Sequence, residues 1–174
     1  ADPACLSVSS GATMVAYIDQ EGDINVGTAT ITGVTDGGDA GAGKVGEVMT
    51  AVLAGNNELA ASNAWVSIST LTLTAGDWEV FGTCSLEAGG TTAGTAVFCG
   101  ISTGNTSIDA TNSGGYTSNG YALIASGAYN QAVGPRRVNI TSTTPYYLVG
   151  KVTYSVLGGA VWGVNSNLYA RRVR

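Results

Sequence analysis

Short apolar–polar alternations separated by turn residues dominate this sequence from Lys44 onward. The clearest one covers residues 66–74, where Val and Ile and then two Leu residues are interleaved with Ser and Thr. A period of two places alternate side chains on opposite faces of a β-strand. The phase slips by one near Ser69 or Thr70, which predicts a β-bulge at that point.

Similar segments recur at short spacing, bounded by Gly, Asn, Asp and Ser, and helical periodicity is nearly absent. We predict strands at residues 45–53, 66–74, 78–84, 95–102, 121–125, 137–142, 146–155 and 161–173, and a long surface loop at residues 104–119. The chain has 26 glycines and only 11% charged residues, which is a strand-and-turn composition. The sequence therefore predicts an all-β sandwich or barrel.

The first part of the chain differs from the rest. Two apolar runs, residues 14–18 and 24–34, flank an acidic turn at residues 19–23, and a glycine-rich stretch follows at residues 37–43. We interpret residues 1–43 as an N-terminal arm or strand pair with a flexible linker, and residues 44–174 as the sandwich.

Acidic and basic residues are separated along the sequence. All twelve acids lie between Asp2 and Asp109 with Lys44 as the only base there, and the other six bases lie at or after Arg136. Binding to nucleic acid is one interpretation of this asymmetry. We favour the other, in which the arginines meet acids of earlier strands or of a neighbouring subunit, because the net charge is −5 and no nucleic-acid motif is present.

The sequence offers little for catalysis or metal binding. Histidine is absent, which removes the commonest general base and metal ligand. Asp77 and Glu79 are the carboxylate pair to consider for glycoside hydrolysis, but a turn cap and a solvated acid explain them better. The acidic turn at residues 19–23 lacks the full ligand set of a calcium loop. We expect no enzyme activity, no cofactor, no metal and, since no apolar run reaches about 18 residues, no membrane span.

Cysteines and aromatic residues each leave two interpretations open. Cys84 and Cys99 lie symmetrically about a turn near residues 89–93, so a simple hairpin would place them opposite one another, as a cross-strand disulfide or as two buried thiols. Cys5 is left over. The aromatic residues inside predicted strands could form a sugar groove, but core or subunit interface is the better interpretation; they are Trp65, Trp78, Trp162, Tyr146, Tyr147, Tyr154 and Tyr169.

Three segments carry a resemblance to a known family. Residues 43–47 read Gly-Lys-Val-Gly-Glu, residues 68–80 contain a Thr/Ser-rich strand followed by Thr-Ala-Gly-Asp-Trp, and residues 145–154 and 169–174 supply a closing strand pair that ends Ala-Arg-Arg-Val-Arg. Together they resemble bacteriophage virion surface proteins of the tail-fibre, head-fibre and capsid decoration type. The resemblance spans about residues 43 to 174 and leaves residues 1–42 uncovered.

The resemblance implies a jelly-roll-like antiparallel β-sandwich, often a homotrimer, on the surface of a virion assembled in the host cytoplasm. We expect a capsid decoration protein whose N-terminal arm, through residues such as Tyr17 and Ile18, binds the major capsid protein or another virion protein. The expected subunit interface includes Arg171 and Arg172, paired with acids such as Asp77 or Glu79. It also includes Leu168 and Tyr169.

Two other functions stay open. In a tail-fibre or tailspike receptor-binding domain, the loop at residues 104–119 would contact a host surface glycan. In a secreted bacterial surface or filament subunit, Ala1 would follow a cleaved leader and Cys84 would be bonded to Cys99.

Overall fold

The computed structural model describes residues 6–10, 13–18, 24–25, 40–53, 57–109, 116–119, 124–156 and 158–174. Every regular element in these ranges is a β-strand, which confirms the all-β prediction. The chain divides into two compact units, Ala1–Gly38 and Asp39–Arg174.

The first unit contains a three-stranded antiparallel sheet. It is formed by β1 (Leu6–Ser10), β2 (Thr13–Ile18) and β3 (Ile24–Asn25), with β2 in the middle. The first apolar run thus becomes the central strand. Of the second run, Ile24 and Asn25 form β3, and residues 26–34 lie outside the described residues.

The described residues of the second unit form ten strands, most of them at predicted positions. They are β4 (Val48–Val52), β5 (Asn57–Glu58), β6 (Val66–Leu73), β7 (Gly76–Ala88), β8 (Ala93–Ser102), β9 (Tyr116–Asn119), β10 (Ala128–Ile140), β11 (Thr144–Val156), β12 (Val161–Gly163) and β13 (Asn167–Arg172).

These strands form two antiparallel sheets with interleaved chain order. In the first sheet β7 is central: β10 pairs with one side of it, β12 and β13 pair with the other side, and β5 and β4 lie beyond them. The second sheet has the order β6-β11-β8-β9. When β4 with β5 and β12 with β13 are each counted as one interrupted strand, eight strands run 1-8-3-6 and 2-7-4-5. This order is that of a jelly roll, as expected.

The core lies between the two sheets. Inward-facing side chains of β7, including Trp78 and Val80, are fully buried, as are Ile101 on β8 and Leu148 on β11. Each such large apolar side chain contributes about 1.5–3 kcal/mol on burial. The core-facing side of β7 carries its even-numbered residues, among them Trp78, Val80, Cys84 and Leu86.

The predicted bulge in β6 is present. Leu148 of β11 pairs with Ser69, but the next residue, Val149, pairs with Ser67, so that Ile68 is the extra residue. Ile68 and Ser69 are consequently both buried although they are neighbours in the chain. The bulge lets the apolar residues before and after it face the same core.

Three local predictions are wrong. Tyr116–Asn119, predicted to lie in a loop, forms β9 and pairs with β8. This strand is polar and is held to its one described neighbour by backbone hydrogen bonds, so its sequence shows no apolar–polar alternation. Ile124 and Ala125, placed in a strand, lie outside one, and residues 121–123 lie outside the described residues. Residues 164–166 interrupt the predicted last strand because the Ser166 hydroxyl turns inward and accepts a hydrogen bond from the Ser85 amide.

Candidate functional site

Three of the four ranges that carry the family resemblance, residues 43–47, 68–80 and 169–174, meet at one end of the sandwich. We call this assembly of Glu47, residues 74–79, Arg137 and residues 171–174 the end cluster. Arg172 is at its centre, with 5% of the residue exposed. Its guanidinium donates to Glu47 Oε2 at 2.9 Å, to the Ala75 carbonyl at 2.9 Å and to Thr74 Oγ1 at 2.7 Å.

Trp78 and Gly76 shape the space that the Arg172 side chain fills. The guanidinium carbon lies 4.2 Å from the Trp78 ring centroid, which is a cation–π contact. The Trp78 Nε1 group donates to the Thr74 carbonyl at 2.9 Å. A Cβ atom on Gly76 would overlap Arg172 Nη1, and Gly76 has a φ of 148°. The Thr-Ala-Gly-Asp-Trp turn is therefore built around Arg172.

Glu47 ties the Gly-Lys-Val-Gly-Glu segment to the same arginine. The Gly46 amide donates to the Arg172 carbonyl and the Arg172 amide to the Glu47 carbonyl, both at 2.9 Å. Glu47 Oε2 also accepts from the Gly43 amide at 2.7 Å. Burial raises the pKa of Glu47, but the Gly43 amide and the Arg172 guanidinium outweigh it and hold that pKa below its ordinary value.

Asp77 binds two arginines. Arg137 Nη2 lies 2.6 Å from one carboxylate oxygen of Asp77, and Arg174 Nε lies 2.7 Å from the same oxygen. Hydrogen bonds from Arg137 and then Arg174 hold the pKa of Asp77 far below its ordinary value, against the effect of burial. The Val173 amide donates to the Asp77 carbonyl at 2.9 Å, so that side chain and backbone both fasten the last residues.

The predicted carboxylate pair is engaged in ion pairs. Glu79 Oε2 lies 2.7 Å from Arg171 Nη2, and both side chains of this pair are more exposed than those of Arg172 and Glu47. Asp77 and Glu79 are two residues apart on β7 and therefore project from the same face of the strand. A general acid for glycoside hydrolysis must hold a proton near neutral pH, which requires a raised pKa. The pKa of Asp77 is lowered, so this side chain does not hold a proton near neutral pH.

The side chain of Arg136 on β10, which forms a fifth ion pair, links the two sheets. Arg136 Nη1 lies 2.7 Å from Asp109 Oδ2 and donates to the Ile101 carbonyl at 2.8 Å. Asp109 also accepts from the Ser102 and Thr103 hydroxyls, each at 2.9 Å. These bonds lower the pKa of Asp109 although burial raises it. Each of the five arginines thus meets an acid from earlier in its own chain.

The structure pairs Cys84 with Cys99 in a disulfide, but not within a hairpin. Cys84 is on β7 and Cys99 on β8, and these strands belong to different sheets. Both cysteines are at most 1% exposed, and their Cα atoms lie 6.3 Å apart. The expected cross-strand geometry is therefore wrong: the bond crosses the core and joins one sheet to the other.

The predicted interface residues divide by the alternation of β13. Leu168 and Arg172 are buried in the sandwich, so their side chains offer no surface to a partner. Tyr169 and Arg171 point outward from the first sheet. In the other unit, Tyr17 pairs with Ser7 and Asn25 in the register of β2. Ile18, the last residue of β2, is partly exposed.

The outward side of the first sheet, which we call the outer face, carries an aromatic pair. Phe81 is 39% exposed, and its ring stacks on Tyr169 with centroids 5.5 Å apart and planes inclined by 14°. Phe81 falls on the polar phase of β7, so the alternation of the sequence does not single it out. Exposed aromatic side chains side by side on a sheet are typical of contact surfaces.

Beside Phe81, the outer face has a shallow depression of about 400 Å³, which we call the slot. Glu79, Phe81 and Thr83 of β7 line one side, and residues 132–135 of β10 line the other. Between Val133 and Arg136 two residues of β10, Gly134 and Pro135, oppose one residue of β7. This bulge separates the walls of the slot.

Comparisons with known proteins return nothing that assigns this arrangement: no family, curated protein or solved structure matches the chain. Among the described residues, no group of three or more cysteine, aspartate or glutamate side chains could hold a metal ion. The same part of the chain has no helix that could span a membrane. The class that fold and site define is a jelly-roll β-sandwich with a disulfide across its core.

Proposed function

We propose that this chain is a structural protein of a bacteriophage particle, a capsid decoration protein of the head-fibre or cement type that assembles as a homotrimer. In this role residues 1–43 attach to the major capsid protein or another virion protein. The sandwich then projects from the shell and reinforces it.

The observation that carries the proposal is the end cluster. The segments resembling virion surface proteins are far apart in the sequence, yet Arg172 contacts Glu47, Thr74 and Ala75 directly. A resemblance made of mutually dependent residues is harder to produce by coincidence than three separate motifs. It supports a shared module, and the module's charged groups are used to hold its fold.

The ion pairs and the disulfide suit a protein with a mechanical role. A bond between Cys84 and Cys99 restrains the separation of the two sheets, and Arg136 with Asp109 joins them a second time. Particle surfaces face oxidising conditions after release from the cell, where such a bond persists.

The same disulfide favours a second candidate, a secreted bacterial surface or filament subunit. Disulfides form readily outside the cytoplasm. In that case Cys84 and Cys99 would be oxidised on export, and the chain would be found on the cell envelope and not on particles.

The experiment that separates these functions locates the protein. Particles from a phage genome encoding the chain are purified and labelled with an antibody against residues 40–174, beside particles from which the gene has been deleted. Label on the shell supports the decoration role. Label on the tail supports a receptor-binding role and overturns decoration. Label on the cell envelope, with particles unlabelled, supports the secreted subunit.

A second measurement tests the homotrimer. Light scattering of the full chain in solution is expected to give three times the mass of one chain, and so is light scattering after deletion of residues 1–42. A monomer in both cases would overturn the trimer.

A further inference from the structure

We propose that copies of this chain assemble through the outer face, with the exposed Val48 and Val52 of one copy seated in the slot of the next. This inference rests on the proposed homotrimer and adds to it the surface, the contacting residues and the direction of the contact.

The outer face carries more exposed apolar side chains than is usual for a sheet face in contact with water. Of the five large hydrophobic residues that are exposed in the described parts of the chain, three lie on it, namely Val48, Val52 and Phe81. Val52 is 64% exposed. An exposed apolar surface of this kind on a sheet favours association unless another surface covers it.

The valines and the slot lie at opposite edges of the same sheet. Val48 and Val52 project from β4, which pairs with β13, whereas the far wall of the slot belongs to β10, which pairs with β7. Within one copy, β13 and β7 separate them. The valines of a copy therefore do not fill its own slot, and a second copy is needed to bring the two together.

The strand register puts the two features at matching heights. Val48 lies in line with Arg171, Glu79 and Arg137 across the sheet. Val52 lies in line with Asn167, Thr83 and Ala132.

Glu79 and Thr83 are also the two ends of the slot along β7. Copies related by rotation about an axis parallel to the strands keep each residue at its own height. Val48 and Val52 of one copy then face the two ends of its neighbour's slot, and the Phe81–Tyr169 pair lies towards the centre of the assembly.

The contact joins different surfaces on the two copies, so it generates a ring or an open filament. The strands β7 and β10, of thirteen residues each, and β4 and β13, of five and six, together cover on the order of 600 Å² at a spacing of about 4.8 Å. In a closed ring of three, half of each outer face is covered by one neighbour and half by the other. No copy then has an exposed valine edge or an open slot.

Two variants separate the surfaces, each with a matched control on the other sheet. Val52→Asp charges the valine edge, and Thr83→Trp fills the slot. Thr72→Asp and Thr70→Trp make the same kinds of change at exposed positions of β6. We expect the wild type and both controls to form three-chain assemblies and each interface variant to be monomeric. Circular dichroism and the urea midpoint check that every variant is folded, and Val48→Asp replaces Val52→Asp if the latter is not.

Mixing the two monomeric variants gives the sharpest test. The Val52→Asp variant keeps an intact slot, and the Thr83→Trp variant keeps intact valines. The valines of the second can therefore bind the slot of the first, and we expect a complex of one chain of each. A mixture that stays monomeric overturns the contact between unlike surfaces. Interface variants that remain trimers overturn the inference but leave the homotrimer standing. A monomeric wild type overturns the homotrimer itself.

Discussion

The guanidinium of Arg172 occupies the space that a side chain on Gly76 would need. Gly76→Ala should therefore cost about 3 kcal/mol of unfolding free energy, because Arg172 must leave its buried partners or the turn must move. Urea titration measures the loss. Gly41→Ala is the matched control: a Cβ atom there meets nothing within 4 Å, and its effect should stay within about 0.5 kcal/mol. Equal effects would contradict the role of Gly76.

The two ion pairs of β13 should differ in strength because they differ in exposure. The Arg172 and Glu47 side chains are 6% and 10% exposed, whereas those of Arg171 and Glu79 are 57% and 31% exposed. Glu47→Ala leaves a buried guanidinium without its carboxylate and should cost about 3 kcal/mol.

Glu79→Ala, the surface counterpart, should cost less than about 1 kcal/mol. Urea titration of both variants under the same conditions gives the comparison. A larger loss for Glu79→Ala would contradict the assignment of Arg172 as the centre of the end cluster.

Removal of the disulfide should weaken the sandwich without changing its fold. Cys84 and Cys99 close a loop with a sequence separation of 15, for which the loss is about 3 kcal/mol. The double change Cys84→Ala and Cys99→Ala is compared with Cys5→Ala, which removes a thiol outside this bond. Thiol titration of the unfolded wild type should find one free cysteine, and three would show that the bond is not formed.

Stability should fall in acid. Folding lowers the pKa of Glu47, Asp77 and Asp109, so the unfolded chain binds more protons than the folded one as pH falls. Their contribution is fully present above the ordinary carboxyl pKa near pH 4 and is lost as pH falls through the lowered values.

The urea midpoint measured from about pH 7 down to about pH 2 tests this, and Asp77→Asn should show a shallower loss over the acid range. A midpoint that is constant below about pH 4 would contradict the ionised state of these carboxylates.

Local patterns predicted the strands well where burial is one-sided. The slip in phase near Ser69 was sufficient to predict the bulge, since both sides of it must still reach one core. Tyr116–Asn119 gave no such signal, because a polar strand held by backbone bonds has the composition of a loop.

What the sequence could not supply is which strands are neighbours. The positions of Cys84 and Cys99 in the sequence suggest a hairpin, but the chain passes from one sheet to the other between β7 and β8. The partners of the arginines could not be predicted for the same reason. Their pairing with earlier acids was one of two open interpretations, and the position of β13 beside β7 brings Arg171 to Glu79 within the chain. Exposed Phe81 could be recognised only after the sheet gave it Tyr169 as a neighbour.

The position of β13 between β4 and β7 affects how the chain is made. During translation β13 emerges after both of these neighbours, yet it lies between them and places Arg172 at the centre of the end cluster. A chain that lacks β13 leaves the edges of β4 and β7 that face it unpaired, and proteases can recognise such edges. The sheet can therefore close only after β13 has been synthesised, late in the making of the sandwich.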